Sequence, residues 1–210
     1  MTAVRKKVSQ KGELVNGKKQ QILKVASKHF LTYGYDGSSV NIMARESRIS
    51  KETIYRYFKN KDHLFMAVID QELVQYKQKI THLMAASDRA NLRESLLSVA
   101  ETLLSVLMPD RQQAVRRLIF NEIRRSPEIG SHYFKIGPCL AYENLEKFFA
   151  AVHAGSDFSP KVLSRNFVAL VLHEIMLERM CGVRANPSQS EITALAGPIV
   201  DDFLKAYFKT

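Results

Sequence analysis

From Lys18 onward the apolar residues of this chain recur at three- and four-residue steps and nowhere alternate over the length of a strand, which commits it to an all-α fold. Ile22, Val25, Ala26, Phe30 and Tyr33 share one helix face, and Gly34 is placed to end that helix. A helix from Val40 to about Ser47 follows, with Ser38 or Ser39 as its N-cap, and then one capped by Ser50 and running through Tyr57. Asn60 caps a fourth, in which Leu64, Phe65, Val68, Ile69, Leu73, Tyr76, Ile80 and Leu83 form a stripe over residues 61–84. At about 1.5 Å per residue a helix of that length exceeds the diameter of a small domain, so it reads as the connection from a small head to a larger body. The body reads as helices at about 89–108, 110–125, 127–135, 138–153, 160–182 and 188–208. They are punctuated by Pro109, Ser126-Pro127, Gly137-Pro138, Gly155-Ser156, Ser159-Pro160 and Asn186-Pro187. Residues 1–16 mix Arg5, Lys6, Lys7 and Lys11 with Gly, Ser and Gln, show no apolar period, and are expected to be a disordered basic arm. The expected divisions are therefore the arm at 1–16, a head at 17–63 and a body at 64–210.

Charge is concentrated at one end. Residues 1–63 hold 14 Lys and Arg against 5 Asp and Glu, so +9 of the formal +10 lies there. A basic lobe on a neutral body fits either a polyanion partner for the lobe or a solubilising tail. Two short helices joined by a tight turn within residues 33–62 favour the first, because this is the outline of a helix-turn-helix that reads double-stranded DNA.

The residues Gly34-Tyr35, Ser39-Val40, Ala44, Ile49-Ser50-Lys51, Thr53-Ile54-Tyr55-Arg56-Tyr57-Phe58 and Lys61 resemble the signature of the TetR/AcrR family of transcriptional repressors over about residues 18–70. Two departures stand out. Ser47-Arg48 occupies the turn where the family usually has Ala-Gly, which asks a non-glycine to adopt positive φ at a cost of roughly 1 kcal/mol. Met43 replaces the usual Ile, a volume-conserving change. The second helix of such a unit puts its N-terminal residues at base edges, so Lys51, Glu52 and Thr53 are the base-reading candidates, with Asn41 reaching from the preceding helix. The resemblance assigns Tyr55, Tyr57 and Lys61 to phosphates, with Arg56 a further candidate. Ser39 and the amides that open its helix form another anion site, and Ser50 caps the reading helix. Ile54 and Phe58 read as core, while Lys18, Lys19, Lys24 and Lys28 read as a solvated face.

In the body, the stretch from Leu118 to Ile129, with Tyr133-Phe134 and Gly137-Pro138 after it, is similar to the effector domain of AefR-like repressors. The resemblance implies a homodimer on a palindromic operator and release by a small hydrophobic effector. Candidate pocket residues are Leu104, Met108, Phe120, Phe134, Cys139, Tyr142, Phe149, His173 and Met176, any of which could equally be core. Dimerisation is expected on the last two long helices. Their candidate positions are Phe167, Leu170, Val171, Glu174, Ile175, Leu177 and Glu178, then Ile199, Val200, Phe203, Leu204 and Tyr207, and the spacing does not separate interface from core. Glu122, ahead of Arg124 and Arg125, reads as a structural ion pair or cap. Control by a protein partner or by redox state is the alternative to an inducer.

An enzyme is not expected. His173-Glu174, His153 and Cys139 lack any His-Glu-x-x-His spacing, and the chain has neither a Gly-rich phosphate loop nor Gly-x-Ser-x-Gly. Cys139 and Cys181 show no metal-binding or disulfide pattern and are expected as small buried hydrophobes, so neither a metal nor a cofactor is indicated. No apolar run reaches the roughly 18 residues of a membrane span, and the N-terminal residues lack the apolar segment of a signal peptide. A cytoplasmic protein with no membrane partner is expected.

Overall fold

The computed structural model describes residues 2–86, 91–152 and 156–208, with side chains from residue 16 onward except those of 75 and 83–86. Among them the only regular elements are helices, and the chain divides into two units, Met1–Glu72 and Leu73–Thr210.

The first unit holds α1 (Thr2–Tyr33), α2 (Val40–Ser47), α3 (Lys51–Phe58) and α4 (Lys61–Glu72). The periodic face of α1 closes on α4: Ile22, Ala26, Phe30 and Phe65 are fully buried, and Phe30 meets Phe65 edge to face at 5.0 Å. Tyr35 stacks on Phe30 and donates its hydroxyl to Asp62 at 2.5 Å, tying the α1–α2 connection to the start of α4. Because Leu64, Phe65, Val68 and Ile69 all enter this core, the unit extends to Glu72 rather than ending at 63. Ser27 on α1 also donates to Glu72 at 2.7 Å.

Three local expectations need correction. Helix α1 begins at Thr2, not near Lys18. Residues 2–16 include good helix formers, and once a packed helix is nucleated each further residue adds a hydrogen bond at little cost, so an apolar period is not required. The expected single helix over 61–84 is two elements, α4 and then α5 (Val74–Ala86), separated at Leu73. The apolar stripe runs through the break, which is why periodicity does not show it. Cys139 is half-buried and Cys181 exposed rather than buried, the latter because it caps the end of its helix just before Gly182 turns the chain at φ 74°.

The second unit continues with α6 (Leu92–Leu107), α7 (Asp110–Glu122), α8 (Pro127–Ile136), α9 (Pro138–Val152), α10 (Pro160–Met180) and α11 (Gln189–Tyr207). Their starts follow the punctuation. Asn91 accepts from the Glu94 amide, Pro127 and Pro160 sit in first turns, and Ser188 with Glu191 forms a reciprocal capping box. Gly155 lies outside the described residues. The core lies among α6, α9, α10 and α11, where Leu96, Leu103, Phe149, Phe167, Val171 and Phe203 are fully buried. Phe149, Phe167 and Phe203 interlock at centroid distances of 5.0 to 6.4 Å. Each such ring contributes roughly 1.5–3 kcal/mol by leaving water. No helix among the described residues is long and apolar enough to cross a membrane.

Candidate DNA-reading head and ligand cavity

In the head, α3 is pinned from beneath by Ile54 and Phe58, 0% and 4% exposed. That leaves Lys51, Glu52 and Arg56 exposed and Thr53, Tyr55 and Tyr57 half-buried. The turn before α3 is set by Arg48, which adopts φ 52°, ψ 34°, the left-handed conformation that the missing glycine demands. Its amide donates to the Arg45 carbonyl at 3.2 Å and the Ile49 amide to Ala44 at 3.1 Å, so the end of α2 is closed in spite of the side chain. Gln21 on α1 donates to the Ser47 carbonyl at 2.8 Å, and His29 meets Glu46 at 3.0 Å, so α1 anchors the same turn. The hydrogen bond from His29 and its nearby charge hold the Glu46 carboxyl below its ordinary range.

The first turn of α3 is internally organised. Ser50 accepts from the Thr53 amide at 3.3 Å and donates its own proton to the Thr53 hydroxyl at 3.0 Å, leaving the Thr53 O–H free to orient outward. The Glu52 carboxyl is held below the usual range chiefly by its own backbone amide, so it is an acceptor at neutral pH. The Lys51 ammonium lies 5.8 Å from the Tyr55 ring and that of Lys61 only 4.2 Å from Tyr35, so both long cations rest on aromatic faces. Asn41 is exposed in the first turn of α2. Ser39 is its N-cap, with extended backbone and no side-chain cap bond, which leaves the opening amides without a side-chain acceptor from the cap. Lys59 holds φ 59°, ψ −54°, in a strained three-residue turn where the Asn60 amide donates to Phe58 at 2.6 Å. Nothing in the sequence pattern pointed to it. Lys18, Lys19, Lys24 and Lys28 are exposed, as a solvated face requires.

In the body, a cavity of about 570 Å³ lies among α5, α7, α8, α9 and α10. Of the nine pocket candidates, Phe120, Phe134, Tyr142 and Met176 line it. Leu104, Met108 and Phe149 do not; they are fully buried in the core, where the Phe149 ring is enclosed by Phe148, Phe167 and Phe203. Cys139 is half-buried but outside the lining, and His173 points from α10 to solvent. His153 lies outside the described residues. Lining residues absent from the candidates include Tyr76, Arg116 and Tyr133. Arg116 was the legible one: it shares a face of α7 with Phe120 and Ile123, a cation in an otherwise apolar register. Burial, with the Tyr133 and Tyr142 phenols nearby, pushes the Tyr76 hydroxyl up, so it stays a neutral donor and reaches the Gly137 carbonyl at 3.4 Å. Glu122 is buried and accepts from Arg125 Nε at 3.0 Å, the structural ion pair expected of it. No three His, Cys, Asp or Glu among the described residues cluster as a metal site.

Comparison with known proteins covers both units. Residues 22–68 match bacterial regulatory proteins of the tetR family, and residues 94–209 match the C-terminal domain of AefR-like transcriptional repressors. The HTH-type transcriptional regulator YhgD of Bacillus subtilis is 33% identical over 86 residues, 40% of this chain and 45% of that protein, so the chain spans under half of that relative. The HTH-type transcriptional repressor Rv1474c of Mycobacterium tuberculosis is 26% identical over 169 residues, 79% of this chain and 83% of that one. Among solved structures, a TetR-family transcriptional regulator of Mesorhizobium loti superposes with a TM-score of 0.79 at 25% identity, covering 93% of this chain and 98% of the other.

Proposed function

Since the chain belongs to the TetR family of bacterial transcriptional regulators, we propose that it is a repressor that holds a palindromic operator as a dimer and releases it when a small, largely apolar effector fills the body. The observation that carries the ligand-responsive part is the 570 Å³ cavity, within the size range of small-molecule sites and walled by aromatic and aliphatic side chains. In the head, Lys51, Glu52, Thr53 and Asn41 read base edges: an ammonium donates to guanine, a carboxylate accepts from cytosine, and a methyl meets thymine. Ser39, Ser50, Tyr55, Arg56, Tyr57 and Lys61 hold phosphates and set register.

One reading helix covers only a few base pairs, so a symmetric dimer is needed for a full operator. The proposed interface is the outer side of α10 and α11. Leu170 and Leu177 are 49% and 55% exposed on one face of α10, beside a depression that Leu195, Pro198 and Ile199 help to line. Phe167, Val171, Ile175, Val200 and Phe203 are buried in the core and belong to the monomer. Release follows because Leu73 and Tyr76, which line the cavity, lie on the stretch of chain that immediately follows α4. An effector pressing on them acts where head passes into body, and it must favour the released state by roughly 1–3 kcal/mol to matter.

The test is selection of bound duplexes from random DNA, followed by anisotropy titrations over a range of salt. Lys51→Ala and Thr53→Ala are expected to relax base preference. Lys61→Ala is expected to weaken all sequences alike and lower the salt slope by about one. Equal loss of preference in both kinds of variant refutes the division of roles.

A further inference from the structure

Among the described residues of the body, Arg116 and Arg179 are buried, and their surroundings differ. Arg179, 7% exposed, makes four hydrogen bonds with its guanidinium: Nε and Nη2 donate to the Met108 carbonyl at 3.2 and 3.1 Å, Nη1 to the Arg184 carbonyl at 2.7 Å, and Nη2 to the Asp110 carboxylate at 2.5 Å. Arg116, 6% exposed, donates from Nη1 to the Gln113 amide oxygen at 2.9 Å, and the Gln113 amide nitrogen is itself committed to the Leu107 carbonyl at 2.9 Å. Among the described residues Arg116 has no carboxylate partner. A guanidinium is permanently charged and carries five donors. Burying it against one neutral acceptor is costly, and such groups are normally paired.

The unspent donors have somewhere to point. No Arg116 nitrogen is both sealed from space and without a partner, and the residue lines the cavity. No Asp or Glu stands among the lining residues, and Tyr76 remains neutral, so nothing on the wall balances the charge. Around it the surface is apolar: Phe120 and Ile123 continue the same face of α7, and Phe134 and Met176 come from α8 and α10.

We infer that the cavity takes an anionic amphiphile, a carboxylate-type head received by Arg116 and an apolar body laid against Phe120, Phe134 and Met176. The inference rests on the cavity being the effector site. A planar fork suits a carboxylate with two parallel N–H···O bonds, and the same low-dielectric wall that makes the bare cation costly strengthens that pair. An alkyl and an aryl carboxylate share this chemistry and differ only in the fit of the body.

The experiment is isothermal titration of the full chain at pH 7.5 with 4-biphenylcarboxylate, dodecanoate and the primary amide of each, comparing wild type, Arg116→Met and Arg116→Lys. In wild type the acid is expected to bind at least about tenfold more tightly than its own amide. In Arg116→Met the preference is expected to fall to near unity, and in Arg116→Lys to persist in part. The better of the two acids identifies the body as aryl or alkyl. Should Arg116→Met fail to fold, the acid-to-amide ratios of wild type and Arg116→Lys decide. Acid and amide binding alike in wild type overturns the anionic head while leaving the cavity as a ligand site, as does an acid preference that survives in Arg116→Met for the role of that arginine. Binding of none of the four compounds overturns the cavity reading and this inference with it.

Discussion

Replacing Arg48 with glycine is expected to stabilise the head, although it deletes a large side chain. Arg48 sits at φ 52°, ψ 34°, where a Cβ crowds the following carbonyl at a cost of about 1–2 kcal/mol. Its side chain is exposed and, among the described residues, makes no hydrogen bond or ion pair, so nothing else is lost. Glycine removes the strain but gives the unfolded chain more freedom, which costs roughly 0.5–1 kcal/mol. The net gain is about 0.5–1 kcal/mol, which for a unit of this size raises the melting temperature by roughly 2–8 °C. Arg48→Ala is the control: it removes the same charge and keeps the Cβ, so it should stay within about 0.5 kcal/mol of wild type. At an ordinary helical position alanine is the more stable of the two, and here the order reverses. Calorimetry of the full chain, following the transition assigned to the head, reads that order directly. If Arg48→Gly melts at or below Arg48→Ala, the left-handed turn is not a source of strain and the reasoning fails.

Phe149→Ala is expected to cost about 3–5 kcal/mol in urea denaturation, since it empties the middle of an aromatic cluster, whereas Phe120→Ala, at a site 42% exposed, should cost under about 1 kcal/mol and act on ligand binding instead. Leu177→Arg should leave the melting profile intact and yield a monomer in sedimentation velocity, because the position is 55% exposed and lies on the proposed interface; a dimer of unchanged strength removes α10 from that role. Ser188→Ala removes the α11 cap, with a loss of about 1 kcal/mol at neutral pH. The Ser188 hydroxyl and amide depress the Glu191 carboxyl, so its contribution is present above the unfolded pKa and is lost as pH falls through the folded one; the gap between variant and wild type should therefore narrow in acid.

The head was legible because its determinants are local. Caps at Ser50 and Asn60, a stop at Gly34 and the left-handed position at Arg48 each act within a few residues of themselves, and apolar spacing marks Ile54 and Phe58 as the buried side of α3. The break at Leu73 was not legible, since Leu73 and Tyr76 keep the helical period on both sides of it. In the body, Leu104 and Phe149 carry the same chemistry at the same spacing as Phe120 and Phe134. What separates core from cavity wall is which helices close over each face, and that is decided by partners distant in sequence. Interface and core on α10 differ likewise: Val171 and Leu170 are neighbours, one fully buried and one half in water. Charge was the better guide where apolar pattern was mute: Glu122 announced its ion pair, whereas Arg116, a cation on the same helix face as Phe120, carried a comparable signal that the pocket candidates omit.

Phe120 and Phe134, 42% and 53% exposed at the cavity wall, leave that wall in contact with solvent. A ligand can therefore enter without waiting for a helix to unpack, and association should run at the rate of diffusional encounter rather than at the rate of an opening motion. Differences in affinity among ligands would then appear almost wholly as differences in residence time. On the proposed effector-controlled reading, such a regulator would track a rising signal at once, and the lag before it resets would be set by how long the last molecule stays.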